Sequence, residues 1–219
     1  MGRRAVMKVL REETAVLHDE IEAVAFHRQL SRGRIDETQY MTLLDSLKRI
    51  HEVQESLRDM YREERVGSLA GGLHRWCKSL EADLKDGQRR GAQSAGVVAG
   101  AESYVQALVD RVGEEPLGLV GHLYVLHGSL LGGMQLRPLV LEALGWSPDE
   151  VRYFGGLGRQ VPMAWKAFKE AVNGAGLNEQ QRQLLVREAN EAFRRLTVVY
   201  EDLGEIGAVP KVRRGGARW

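Results

Sequence analysis

In the stretch LREETAVLHDEIE, three side chains have types and spacings that can do chemistry together. His18 stands beside Leu17 and Ile21 on what reads as the apolar stripe of a helix. Glu22 lies one helical turn further on, where its carboxylate can accept the imidazole Nδ1–H. That contact would fix the tautomer and leave Nε2 free for a metal ion or the iron of a haem. Arg11 precedes His18 by two turns on the same face, placed for an anionic group of the same ligand. The commoner fate of a lone histidine is a place at the edge of a core, with one hydrogen-bond partner. The triplet alone leaves both readings open.

A second stretch, YVLHGSLLGGMQL from Tyr124 to Leu136, has no charged residue but holds Gly128, Gly132 and Gly133. Each glycine inside a helix costs roughly 1 kcal/mol against alanine. Gly128 and Gly132 are one turn apart and share a face, so that face lacks Cβ atoms over two turns. The adjacent Gly132 and Gly133 also make a bend easy. Such a face serves tight helix–helix packing, or it lets a flat ligand lie against the backbone. Spacing alone favours packing.

The elements that must position these residues read as almost entirely helical. The 219-residue chain holds only five prolines, and no alternating β-branched run stands between turns. Helices are expected near Val6–Val24, Glu37–Glu64, Leu73–Lys85, Ala99–Val112, Leu117–Leu144, Val161–Val172 and Asn178–Leu203. SRGRID, DGQRRGAQSAG, GEEPLG, WSPDE and FGGLGRQ are the expected breaks, with Asp36 capping the second helix and Pro148 suited to a helix start. There is no repeat and no convincing linker, so the expectation is one all-α domain over residues 1–208, followed by a basic tail over 209–219.

Composition narrows the function. Net charge is +1 and the pI about 7.9, which gives no global field for nucleic acid. Cys77 is the single cysteine, which excludes a disulfide framework and a Cys-rich zinc site. The start, MGRRAVMKVLREE, turns charged again too soon for a secretory signal, so a cytoplasmic protein is expected. Leu117–Leu136 has the length of a membrane span, but its glycines, His122, His127, Ser129 and Gln135 favour a buried central helix.

Taken in order, LREETAVLHDEIE, YVLHGSLLGG, FGGLGRQVPMAWKAFKEAV and EANEAFRRL resemble the haem oxygenase family, in its soluble bacterial branch. The resemblance covers nearly the whole chain. It implies a single-domain helical bundle with haem held between a proximal helix and a kinked, glycine-rich distal helix. His18 matches the proximal iron ligand and Glu22 its partner. Gly128, Ser129, Gly132 and Gly133 match the distal segment, Arg11 and Tyr124 the propionate contacts, and Phe193 an aromatic that packs on the macrocycle. The implied reaction opens haem, at once cofactor and substrate, to biliverdin with release of CO and ferrous iron. O2 is the co-substrate, a ferredoxin or flavoprotein reductase the electron donor, and a phytochrome or other biliverdin acceptor a further partner.

Two positions depart from the pattern. Ser129 stands where animal relatives have an aspartate. His127 stands where this branch often carries an acidic residue. About 100° around the helix from Gly128, His127 is expected to face a neighbouring helix or solvent; as a second iron ligand it would suppress oxygen activation. The rival readings are a non-catalytic haem-binding or interaction protein on the same fold, and a non-haem di-iron oxidase. The latter needs inward carboxylate and histidine sets, of which His51 with Glu55 is one pair, while Glu102 and His122 make no second. A thiaminase-like relative would need a nucleophilic cysteine, for which Cys77 is poorly placed. Arg159, Lys166 and the basic residues at 211–218 could guide an acidic redox partner, although a solvated surface is the default reading.

Overall fold

The computed structural model describes residues 4–155 and 158–206. Residues 156 and 157 of the expected FGGLGRQ turn, and the expected tail at 209–219, lie outside them. The described residues hold ten α-helices and two short 3₁₀ turns joined by turns and irregular segments, with no strand among them. In chain order they are α1 (Val6–Glu13), α2 (Ala15–Glu22), α3 (Ala25–Leu30), α4 (Glu37–Met60), α5 (Arg65–Ala70), α6 (Cys77–Arg89), α7 (Ala99–Glu114), α8 (Leu119–Leu144), α9 (Gln160–Gly174) and α10 (Glu179–Glu205).

Local signals set the longer elements. Asp36 accepts from the Gln39 N–H at 2.8 Å while the Gln39 side chain bonds back to the Asp36 N–H, a reciprocal cap that starts α4. Asn178 and Gln181 do the same for α10. Gly145 ends α8 in the left-handed region at φ 64°, which a residue with a Cβ rarely adopts.

Three expectations need correction. The first helix is broken at Thr14, whose hydroxyl donates to the Leu10 carbonyl at 2.8 Å and competes with the backbone ladder. The structure adds two short helices, α3 and α5, whose six residues each are too few to show a helical period in the sequence. Helix α6 runs through the expected loop start to Arg89, with Gly87 tolerated because it packs on Trp146 and Met41.

Helix α10 is the hub, packing on α8, α7, α2, α3 and α1. It comes close against α8, where a Cβ at Gly121 would sit 2.6 Å from the Leu185 carbonyl oxygen and 2.8 Å from the Ala189 nitrogen. Glycine at 121 is therefore a packing residue. The same seam buries Glu188, which accepts from Arg111 at 2.7 and 2.8 Å and lies 3.4 Å from His122 Nε2. Burial alone would raise that carboxyl, but the contacts to His122 and Arg111 outweigh it and hold it near 2. Helix α8 is long and apolar enough to cross a membrane, yet most of it is buried as the core helix of this bundle.

Candidate active site

Helices α1 and α2 supply one wall of a cavity of about 1030 Å³, and α8 supplies another. That volume is at the upper end for ligand sites, which run roughly 300–1,000 Å³. His18 projects from α2 into it with 54% of its side chain exposed, so a ligand reaches the imidazole without displacing protein. Its Nδ1 lies 3.6 Å from Glu22 Oε1, an ion-pair distance that a small rotation turns into a hydrogen bond. The ring of Phe193, buried on α10, meets the His18 ring edge-on at 5.8 Å. His18 is thus oriented from two sides, by a carboxylate on its own helix and an aromatic on the last one. Asp19 completes an exposed group, with its carboxylate, Glu22 and His18 offering ligand atoms within 4.8 Å of one another.

Arg11 from α1 and Tyr124 from α8 line the same cavity. Burial raises the Tyr124 phenol, against the opposite pull of the Thr14 hydroxyl and the Arg11 charge.

The three glycines separate into different tasks. A Cβ built at Gly132 would meet no neighbouring heavy atom within 4 Å; this residue presents bare backbone to the cavity. At Gly128 it would touch the indole of Trp165 at 3.4 Å, an ordinary contact. At Gly133 it would come within 3.1 Å of Phe154 Cδ1, closer than most side chains tolerate. Gly133 is thus a packing glycine that also borders the cavity. Ser129 lines the cavity as well, but its hydroxyl donates to the Leu126 carbonyl at 2.9 Å.

His127 is buried and turns away from the cavity towards α4, where its ring meets His51 at 6.3 Å, edge to face. Of the two placements expected, a neighbouring helix or solvent, it takes the neighbouring helix. Sequence reasoning missed Trp165, Tyr153 and the α3 edge of the cavity, where His27 stacks on Tyr200 at 6.0 Å and Arg28 and Arg32 reach the rim. Trp165 lies within a quoted motif, but its role depends on contact with Tyr124, 5.7 Å away on another helix. Lys166 is solvated and paired at 3.9 Å with Glu170.

The family model described as heme oxygenase matches residues 4–202. The chain belongs to the haem oxygenase family. Among curated relatives it is 24% identical to heme oxygenase 1 of Synechocystis sp. PCC 6803 over 84% of this chain and 78% of that one. It is 25% identical to a heme oxygenase of Takifugu rubripes over 92% and 75% of the two chains. The fold matches the crystal structure of heme oxygenase-2 from Synechocystis sp. PCC 6803 in complex with heme and NO, with a TM-score of 0.81. Identity there is 23%, over 91% of this chain and 85% of that chain. The heme oxygenase structure from Leptospira interrogans matches with a TM-score of 0.78 and 19% identity, over 90% and 99%.

Within this family fold the rival chemistries find little to work with. Glu55 does not face His51 as a metal ligand would; it accepts from the Trp76 and Cys77 backbone N–H groups at 2.6 and 3.2 Å. Among the described residues the one cluster able to hold a metal is the exposed group at His18, all on α2. Burial, with help from Glu55, pushes the Cys77 thiol up to about 12, far from a reactive thiolate.

Proposed function

We propose that the chain binds haem between α2 and α8 and opens it to biliverdin, releasing CO and ferrous iron, with O2 as co-substrate. The observation that carries this reading is one cavity bounded by an exposed, oriented imidazole at His18 and by the bare backbone at Gly132. An ordinary packing face would cover Gly132, as α10 covers Gly121. The donor set also fits: a neutral imidazole suits haem iron, and Arg11 with Tyr124 suits carboxylates.

When bound, haem supplies the iron that activates oxygen and the ring that is oxidised. The chain's own residues do the rest. His18 would hold the iron from the α2 side through Nε2, with Glu22 placed to accept its Nδ1–H. Phe193 fixes the imidazole plane. Arg11 and Tyr124, both on the cavity wall, would hold the propionates. On the α8 side, Gly132 would leave space for oxygen, Gly128 borders the cavity beside Trp165, and Ser129 is tied to its own helix. Electrons come from an external donor of the ferredoxin or flavoprotein-reductase class. Ferric haem added to the purified protein is expected to give a sharp Soret band at a 1:1 ratio. His18→Ala is expected to shift that band and weaken binding, with imidazole restoring the spectrum. An identical band in His18→Ala refutes the assignment of the ligand.

A further inference from the structure

The cavity carries cationic side chains at two ends, and the proposed function uses one of them. At the first end Arg11 of α1 and Tyr124 of α8 line the wall, the phenol within reach of the Thr14 hydroxyl. At the second end the wall is lined by His27 and Arg28 of α3 and by Ser31 and Arg32 just after it. Helix α8 keeps the two ends apart. Its Tyr124 stands beside Arg11, while its Leu139 stands beside Gly33, where an added Cβ would lie 3.1 Å from the Leu139 carbonyl oxygen. Tyr124 and Leu139 are about 22 Å apart along the helix.

His18 lies between the ends. Its ring rests on Phe193, and the ring of His27 rests on Tyr200, two turns or about 10 Å further along α10. The centre of the wall is acidic, since Asp19 and Glu22 border the cavity beside His18. Anionic groups of a ligand are therefore repelled from the centre and drawn to either end. Neither end is committed to the fold. Arg11, Arg28 and Arg32 are exposed, and among the described residues none of them pairs with a carboxylate. By contrast Arg90, Arg111 and Arg152 pair with Glu150, Glu188 and Asp83 at 2.7, 2.7 and 2.9 Å.

We propose that Arg28 and Arg32 form a second carboxylate seat, so that this cavity accepts haem in two orientations. On the haem oxygenase reading, which this seat presupposes, the ligand is a flat ring with both carboxylates on one edge. One molecule therefore engages one end at a time. Arg11 with Tyr124 holds that edge towards α1, and Arg28 with Arg32 holds it towards α3 through guanidinium forks that match a carboxylate. His18 serves both orientations, because the iron is at the centre of the ring. What changes is the meso bridge presented to the bare backbone at Gly132, since turning the ring end for end exchanges opposite bridges. Arg28 and Arg32 are thus specificity-determining residues, and the two ends together set the ratio of ring-opened isomers.

The ferrous carbonyl complex, prepared without oxygen, is diamagnetic and does not turn over, so nuclear Overhauser contacts report the seating alone. Haem isotopically labelled at the propionate methylenes is expected to show contacts to both the Tyr124 ring and the Ser31 side chain. Arg28→Gln/Arg32→Gln is expected to lose the Ser31 contacts and keep those to Tyr124, and Arg11→Gln to shift them towards Ser31. Given an electron donor and oxygen, the wild type should release two biliverdin isomers and the double variant one. Contacts to Tyr124 alone in the wild type, Ser31 contacts that survive in the double variant, or a single isomer from the wild type would overturn the second seat. A complex that shows both sets of contacts but never opens its ring refutes the reaction and upholds the seat. A protein that binds no haem refutes both.

Discussion

The imidazole of His18 on α2 and the ring of Phe193 on α10 meet edge-on, 5.8 Å apart. The proposed ligand near the start of the chain therefore packs against the last described helix, which also packs on α8 across the same core. On this reading, assembly of the bundle also places the imidazole.

Phe193→Ala is expected to cost about 3–5 kcal/mol of stability, the usual loss for a buried phenylalanine. It should also broaden the Soret band of the ferric complex, because His18 loses one of its two supports. Urea unfolding and haem titration on the same preparation check both effects. An intact spectrum in the destabilised protein would show that Glu22 alone orients the ring.

Leucine at the two adjacent glycines should give opposite outcomes. At Gly132 it meets open space, so Gly132→Leu is expected to keep or raise thermal stability, by up to roughly 1 kcal/mol of helix propensity. Its side chain then fills the α8 side of the cavity, and ring opening is lost. At Gly133 the new side chain runs into Phe154, so Gly133→Leu is expected to lose about 1–3 kcal/mol or more from overpacking. Thermal melts separate the two variants, and a Gly132→Leu protein with normal ring opening would misplace the open face.

Acid should weaken the fold through the buried histidine pair. Burial lowers the folded pKa of His51 to about 4 and that of His127 well below 6.5. Below pH 6.5 the unfolded chain binds protons that the folded chain refuses, so their contribution to stability is lost as pH falls from 6.5 towards 4. The slope is about 1.4 kcal/mol per pH unit for each histidine. Urea denaturation of wild type, His51→Phe and His127→Leu over this range should show the slope reduced by about one such increment in each variant.

Much of the scaffold was legible because long helices repeat their apolar residues and mark their starts. Asp36 with Gln39 and Asn178 with Gln181 announce α4 and α10 in the residue types themselves. His18 and Glu22 were legible for the same reason, being one turn apart on one element. The division of labour among Gly128, Gly132 and Gly133 was not, since it depends on Trp165 and Phe154, which arrive from other segments. The facing of His51 and His127 was equally hidden: they are distant in sequence, and only the packing of α8 beside α4 joins them.

The central claim is oxidative ring opening, and one measurement tests it most directly. Purified protein loaded with one equivalent of haem is given an electron donor and oxygen, and its absorbance is followed. The account predicts decay of the Soret band with growth of the long-wavelength absorbance of biliverdin and release of CO and ferrous iron, all suppressed in His18→Ala. A haem complex that keeps its Soret band intact under reductant and oxygen would contradict it and leave a haem-binding protein on the haem oxygenase fold.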